Sequence, residues 1–397
     1  RQLLEEDLPR AMGILGVPLR GVVAKGRANY LCRAAWDLQQ AGLKEMDRRD
    51  YELWLALPRW AEQTRTGDRE ELGRSGEGES DLWDRLNARA ERCTGRQCPR
   101  FEDCFLTTLK QELAAADLII VNHALLLADR VLRQGDFGQV LPDAPVLVLD
   151  EAHDLEEQLT ESCAQQWSDR AMKLLFRDLA EAAGADPAAA ALAGLLRPWE
   201  EAWQAVLGQV PGDPGTWGLE DPRLPLRSLA DAVGAWVEAG QAAWKETRQL
   251  ASRSKEEGLE PPWRRLADRI GLAFSRMEQV FAQAEGWVST LVRAGAQMVR
   301  FKSNPVDVKP FFHEHLRRGF ETLVLTSATL RDGKGFNGLR LRLGLTEEEA
   351  GRAEHVESPF DFGAQGLLFV PPRLPERRAG RDALGDPAWV EAGLEAM

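Results

Sequence analysis

The sequence predicts an α/β fold: a doubly wound parallel sheet interrupted by a small cysteine-bearing insertion and by a larger, mostly α-helical one. Three observations predict it. Four short apolar runs lie far apart, at 19–24, 118–121, 145–149 and 322–325. Runs this short and this apolar are what strands covered on both faces of a parallel sheet look like. Each run ends in a polar cluster, and ligands of open α/β sheets gather beyond the carboxyl ends of strands. Two long stretches of helical spacing, 33–92 and about 155–295, separate the runs.

Composition narrows the function classes. The 397 residues are 44% hydrophobic and 28% charged, enough for two or three domains. No apolar run approaches the roughly 20 residues of a membrane span, and no signal peptide is visible. The net charge of −13 argues against a uniformly basic surface. It leaves room for a local basic channel, because nucleic acid responds to the local field. Five cysteines, three of them clustered, suit a metal site in a reducing cytoplasm better than a disulfide framework. Both ends fall inside helical patterns, so the chain is expected to be an internal piece of a longer protein.

In chain order, an amphipathic helix ending near Gly13 and Gly16 leads into the first strand. That strand delivers Lys25, Arg27, Asn29, Tyr30 and Cys32: two cations, an amide, a ring and a thiol. A polar loop with one buried cysteine is the plainer reading. Residues 33–92 follow with helical apolar faces and a Gly/Ser/Glu-rich loop at 67–80. The second strand, Leu118-Ile119-Ile120-Val121, ends in Asn122 and His123. The third ends in Asp150-Glu151-Ala152-His153. There Asp150 is placed as P-loop NTPases place the aspartate that holds Mg²⁺, and Glu151 can orient or deprotonate an attacking water. His153 stands too far along for that chemistry and is better placed to report on it.

Residues 155–295 are rich in Ala, Leu, Glu and Arg, broken by a Pro/Gly stretch at 208–225. Their eight tryptophans read mainly as helix-packing residues, with base stacking as the minority reading. Sheet-like sequence returns at 297–301, and a helix is expected around 308–316. The fourth strand ends in Thr326-Ser327-Ala328-Thr329-Leu330. A mixed loop, a further strand from 367 to 370 and a Pro/Arg-rich linker at 371–381 complete the chain.

Cys93, Cys98 and Cys104 are spaced C-x4-C-x5-C, with Cys32 far upstream. Zinc sites more often pair two C-x2-C knuckles. Three clustered cysteines plus a distant one suit a four-cysteine iron–sulfur cluster at least as well. Zinc and structural buried thiols remain the alternatives. Arg89, Arg92, Arg96 and Arg100 crowd the same loop, and Cys163 reads as a lone, partly buried thiol.

Together, Lys25-Gly26-Arg27-x-Asn29-Tyr30-x-Cys32, C-x4-C-x5-C, Val121-Asn122-His123-Ala124-Leu125-Leu126, Asp150-Glu151-Ala152-His153, Thr326-Ser327-Ala328-Thr329-Leu330 and Ser358-Pro359-Phe360-Asp361 occur in one order. The set resembles the DinG-like, XPD-related superfamily 2 DNA helicases of bacteria. The resemblance implies an ATP-dependent, 5′ to 3′ DNA helicase of repair or replication, acting on single-stranded and forked DNA. It implies a monomer in the bacterial cytoplasm, associated with the nucleoid. Cys32, Cys93, Cys98 and Cys104 match the ligands of a 4Fe–4S cluster. Asp150 matches the Mg²⁺ ligand of the ATP site and Glu151 the water-activating partner. His153, Ser327 and Thr329 match residues coupling nucleotide state to DNA grip. Arg27, Asn29, Tyr30, Asn122 and His123 are candidate DNA contacts.

The implied domains are a RecA-like helicase domain 1 from 1–25, 109–158 and 297–345, an iron–sulfur domain at 26–108, a helical arch at 159–296 and the start of helicase domain 2 at 346–397. Two departures stand out. The chain contains no G-x-x-x-x-G-K-[ST] phosphate loop and no Q-x-x-G-R-x-x-R run. It is therefore expected to be inactive by itself. The competing expectation is a non-catalytic nucleic-acid-binding module with an iron–sulfur or zinc site.

Overall fold

The computed structural model describes residues 2–39, 48–76, 80–90, 93–133, 139–256, 262–294, 298–333, 335–349 and 351–365. The strand expected at 367–370 and the linker at 371–381 lie outside them, as do Arg92 and Gln297. Among the described residues the strands are β1 Gly21–Ala24, β2 Leu118–Val121, β3 Val146–Leu149, β4 Gln165–Ser168, β5 Gly215–Gly218, β6 Trp287–Arg293, β7 Val299–Pro305 and β8 Thr322–Leu325.

The fold is α/β with parallel sheets. Strand β1 pairs in parallel with β2, Gly21 opposite Leu118 and Ala24 opposite Val121. Strand β3 pairs in parallel with β8, Val146 opposite Thr322 and Leu149 opposite Leu325. Each pair joins segments from opposite ends of a long insertion, so both insertions leave and return at strand ends. A single doubly wound sheet is not what these residues form: the four strands pair two by two. The pairs nonetheless share a core, in which Val22 and Ala24 of β1 join Leu149 of β3, Leu127, Leu155 and Phe312.

The expectation that these strands are buried on both faces needs correction. Val146 and Val148 on one face of β3 are 52% and 58% exposed, whereas Leu149 is 2% exposed. Alternate side chains of a strand point to opposite faces. Among the described residues, the helices therefore cover one face of this pair and leave the other open.

The cysteine-bearing insertion has its own core of Leu31, Leu53, Leu57, Leu82, Trp83 and Leu86. Backbone bonds from Leu31 to Gly67, from Cys32 to Leu86 and from Ala88 to Tyr30 tie its segments together. The helix Asp81–Leu86 starts on Ser80, whose hydroxyl accepts from the Trp83 amide as an N-cap.

The larger insertion is more than helical. Helices α1 (Asp169–Ala185), α2 (Ala190–Gly208), α3 (Leu226–Glu256) and α4 (Trp263–Phe281) pack over a four-stranded antiparallel sheet in the order β4-β7-β6-β5. The sheet-like sequence near 297–301 belongs to this sheet: β7 pairs with β4 and β6. Trp199, Trp203, Trp236 and Phe301 are fully buried at the centre. For these rings the packing reading of the tryptophans holds.

Candidate functional site

Where β3 and β8 end side by side, their last residues build one polar edge. The Thr326 amide donates to Leu149 O (2.9 Å) and the Ala152 amide to Thr326 O (3.0 Å). These bonds fold the turn after β3 beneath the end of β8. Glu151, inside that turn, has φ 50° and ψ 41°, a left-handed conformation unusual for a residue with a Cβ. The turn carries Asp150 outward. Its Oδ1 accepts from the Glu151 amide (3.0 Å), and the residue is exposed.

His153, Ser327 and Glu151 form a triangle across this edge. His153 Nδ1 lies 2.7 Å from Ser327 Oγ. The same nitrogen lies 3.1 Å from Glu151 Oε2, and Ser327 Oγ donates to that oxygen at 3.2 Å. His153 Nε2 faces Asp154 Oδ1 at 3.2 Å. Thr329 enters through its backbone, its amide donating to Ser327 Oγ (3.3 Å). The structure thus brings Glu151, His153 and Ser327 into direct contact, with Asp150 next to them. The arrangement leaves Asp150 exposed, while Glu151 is linked through Ser327 to the end of β8.

The end of β1 is arranged differently. Tyr30 is 3% exposed, and its hydroxyl accepts from the Lys25 amide (3.0 Å). Burial pushes its phenol above the ordinary value. Lys25 Nζ donates to Asp68 (2.5 Å) and to Glu70. Burial opposes its charge, but the two carboxylates outweigh burial and hold the ammonium above its usual range. Asn122 Oδ1 accepts from the Leu125 amide (2.9 Å), capping the helix His123–Leu132. Arg27 Nε donates to Ala88 O (3.2 Å). Of the five candidate DNA contacts, then, Tyr30 offers no exposed face, and Arg27 and Asn122 make structural bonds. Asn29 is exposed and bonds its own turn at Gly26 O (3.0 Å), and His123 is half-buried.

All four clustered-motif cysteines are free thiols and half-buried. Cys32 follows the Tyr30–Leu31 segment. Cys98 and Cys104 sit in consecutive turns, with amide bonds from Cys98 to Gly95 O, from Phe101 to Cys98 O and from Cys104 to Phe101 O. The Cys32 thiol is pushed up by burial, partly offset by the Ala35 and Ala34 amides, with Cys98 and Cys104 raising it further. Cys98 and Cys104 therefore lie near enough for their charges to act on Cys32. For Cys93 burial also raises the thiol, but the Gly95 amide and the cations Arg27 and Arg265 outweigh it and bring it below its ordinary value. Among the described residues, no three His, Cys, Asp or Glu side chains stand close enough to hold a single metal ion.

Sequence reasoning misses the hold of the helical insertion on this loop. Arg265 of α4 donates to Ala90 O (3.1 Å) and to Cys93 O. Asp178 of α1 pairs with Arg89 (3.1 Å) and with Arg269 of α4 (2.7 Å), largely out of solvent. Arg170 pairs with Asp84 (2.5 Å). Arg89 and Arg100 thus have carboxylate partners, Arg100 binding Asp37 at 2.6 Å. A surface arginine read from sequence carries no sign of which distant aspartate it will meet. Cys163 stands apart, its thiol pushed up to about 11 by burial.

No protein-family model matches the chain. Curated relatives do. It is 27% identical over 392 residues to the ATP-dependent DNA helicase YoaA of Haemophilus influenzae, covering 94% of this chain and 57% of the relative. Against YoaA of Escherichia coli it is 25% identical, covering 100% and 60%. Against the ATP-dependent helicase DinG of Mycobacterium tuberculosis it is 28% identical over 411 residues, covering 97% and 58%. The chain therefore spans less than two thirds of the length of these relatives. Among solved structures it is similar to an XPD helicase at 12% identity and a TM-score of 0.37, covering 85% of this chain and 50% of that one. Over nearly its whole length, then, the chain has as homologues ATP-dependent DNA helicases of the DinG and YoaA kind, as the order of its strand-end motifs implies.

Proposed function

We propose that the chain is the cysteine-bearing part of an ATP-dependent 5′ to 3′ DNA helicase that acts in repair or replication on single-stranded and forked DNA. The observation that carries this reading is the Glu151–His153–Ser327 triangle, which joins the ends of two parallel strands beside an exposed Asp150. An edge of this kind ties a carboxylate that can act on water to a second strand end that can sense the result. Asp150 would hold Mg²⁺ with ATP, Glu151 would orient the water, and His153 with Ser327 and Thr329 would pass the nucleotide state on. Residues 1–25, 109–158 and 297–345 are the motor domain in this reading, although β7 at the start of the last segment pairs into the sheet of the larger insertion. Residues 26–108 are the iron–sulfur domain, 159–296 the arch and 346–397 the start of a second motor domain.

The donor chemistry fits a 4Fe–4S cluster on Cys32, Cys93, Cys98 and Cys104: four free, half-buried thiols, with Cys98 and Cys104 near enough to act on Cys32. Such a cluster would cross-link the segment after β1 to the loop before Phe105–Ala114. With no phosphate loop in its sequence, the chain by itself is proposed to hydrolyse no ATP.

Iron, acid-labile sulfide and zinc per chain, measured after anaerobic purification, test the reading. About four irons with matching sulfide support the cluster. Zinc without sulfide overturns it and leaves the second reading, a zinc-stabilised nucleic-acid-binding module. DNA-stimulated ATP turnover by this chain overturns the proposal of inactivity.

A further inference from the structure

A groove of about 860 Å³ runs between α3 and α4 on the helical insertion, away from the strand ends and from the cysteines in sequence. From α3 it is lined by Gln241, Trp244, Lys245 and Arg248, and from α4 by Phe274 and Glu278. Three features set it apart. Most tryptophans of this insertion are buried, but Trp244 and Phe274 are only half-buried, meeting edge to face with centroids 5.9 Å apart. Arg248 lies over the Trp244 ring, 5.4 Å from its centroid. Among the described residues neither Lys245 nor Arg248 has a carboxylate partner, although both are exposed and the chain is strongly acidic overall.

The spacing explains how α3 builds this wall. Positions 241, 245, 248 and 252 fall on one helical face. Trp244 is fixed on the floor because its indole N–H donates to Ala267 O (3.0 Å). A wall of cations and amides over a floor of aromatic faces is the chemistry that holds single-stranded nucleic acid: bases stack on rings or guanidinium planes, and cations meet the backbone.

We propose that this groove binds single-stranded nucleic acid, with a base entering the Arg248–Trp244 stack and Lys245 and Arg248 meeting the adjacent phosphates. The proposal rests on the helicase reading for its partner, and it assigns to the helical insertion a site that the strand-end motifs do not contain. Glu278, on the facing wall, is placed to accept from the amino group of a base. An acidic peptide would use the two cations but has no use for the half-exposed rings.

The test uses the 397-residue chain and a fluorescein-labelled oligothymidylate of roughly a dozen nucleotides, within the site sizes of such grooves. Lys245→Glu combined with Arg248→Glu is expected to weaken binding about tenfold. It should also flatten the log–log salt dependence by about 1.4, two single-strand phosphate contacts. Trp244→Phe keeps a stacking face and should retain most of the affinity. Substituting 5-iodouracil in the oligonucleotide should place a photo-crosslink on Trp244 or Phe274. Unchanged affinity and slope in the charge-reversed chain, or crosslinks mapping only outside α3 and α4, overturn the groove while leaving the helicase reading in place. A wild-type chain that binds no oligothymidylate overturns both. Equal displacement by an oligoglutamate of matched charge overturns the nucleic-acid assignment in favour of acidic chains in general. Both cations are exposed, so the double variant should melt as the wild type does. This keeps the test decisive even if the Trp244 variant fails to fold.

Discussion

His153 Nδ1 lies 2.7 Å from Ser327 Oγ although 174 residues separate them along the chain. The helical insertion, with its own core, fills most of that interval, yet β3 and β8 return to exact register beside each other. The contact is therefore a consequence of parallel pairing: once Leu149 faces Leu325, the residues just beyond them must meet.

A double-mutant cycle should detect this contact. His153→Ala and Ser327→Ala each remove one partner, and the bond is partly exposed, so a coupling energy of about 0.5–1.5 kcal/mol is expected from urea unfolding. Strict additivity of the two substitutions would mean that the histidine and serine do not communicate, and the coupling role proposed for them would lose its physical basis.

Asp178 makes a stronger prediction. Its carboxylate is 6% exposed and holds Arg89 of the cysteine-bearing insertion and Arg269 of α4. Replacing it with alanine takes this carboxylate away from two largely buried guanidinium groups. Breaking a buried pair in this way costs about 3–5 kcal/mol. Hydrogen exchange should then rise in the segment around Arg89 before it rises elsewhere. A loss under 1 kcal/mol in denaturant unfolding would show that solvent reaches this network freely.

Cys163 should be a poor nucleophile in the folded chain. Its thiol is pushed from an ordinary 9.0 up to about 11 by burial. At pH 8 the thiolate fraction falls about a hundredfold, so alkylation by iodoacetamide should slow by about that factor until the chain unfolds. The pH dependence follows in sign. Between about 9 and about 11 the unfolded chain has released this proton and the folded chain has not, so this group's contribution to stability declines as pH rises through that window. Alkylation of Cys163 at the rate of a free thiol, followed by mass spectrometry, would contradict the burial.

Several elements are legible in the sequence for a plain reason. Leu118-Ile119-Ile120-Val121 is too short for a buried helix and too apolar for a loop, and it forms the expected strand. The same holds for β3 and β8. The antiparallel sheet is not legible, because Gln165–Ser168 and Gly215–Gly218 carry little apolar content and lie among Ala- and Leu-rich helices. The open face of β3 is equally hidden, since sequence reports that Val146 and Val148 are apolar but not what covers them. At the candidate site, Asp150, Glu151 and His153 are legible because a strand end fixes their place. Tyr30 is ambiguous: a ring among cations suits a stacking platform and a buried turn anchor alike, and sequence gives no sign of its burial or of the bond from the Lys25 amide.

Glu151 tests whether the site keeps strain for the sake of its carboxylate. With φ 50° and ψ 41° it occupies a region that costs a Cβ-bearing residue about 1–2 kcal/mol relative to glycine. Non-glycine residues held there cluster at functional sites, where surrounding structure over-determines them. Glu151→Ala and Glu151→Gly both delete the carboxylate and its contact with Ser327, so that loss cancels when the two are compared. Glycine relieves the backbone but gives back about 0.4–1 kcal/mol through a freer unfolded chain. The glycine variant should therefore be more stable than the alanine variant by about 0.5–1 kcal/mol in urea unfolding, the reverse of their order in a helix interior. Equal stabilities, or alanine ahead, would mean that the turn relaxes out of the left-handed region once the carboxylate is gone. In that case the conformation is held by the Ser327 contact rather than by the Ala152–Thr326 bond beneath it.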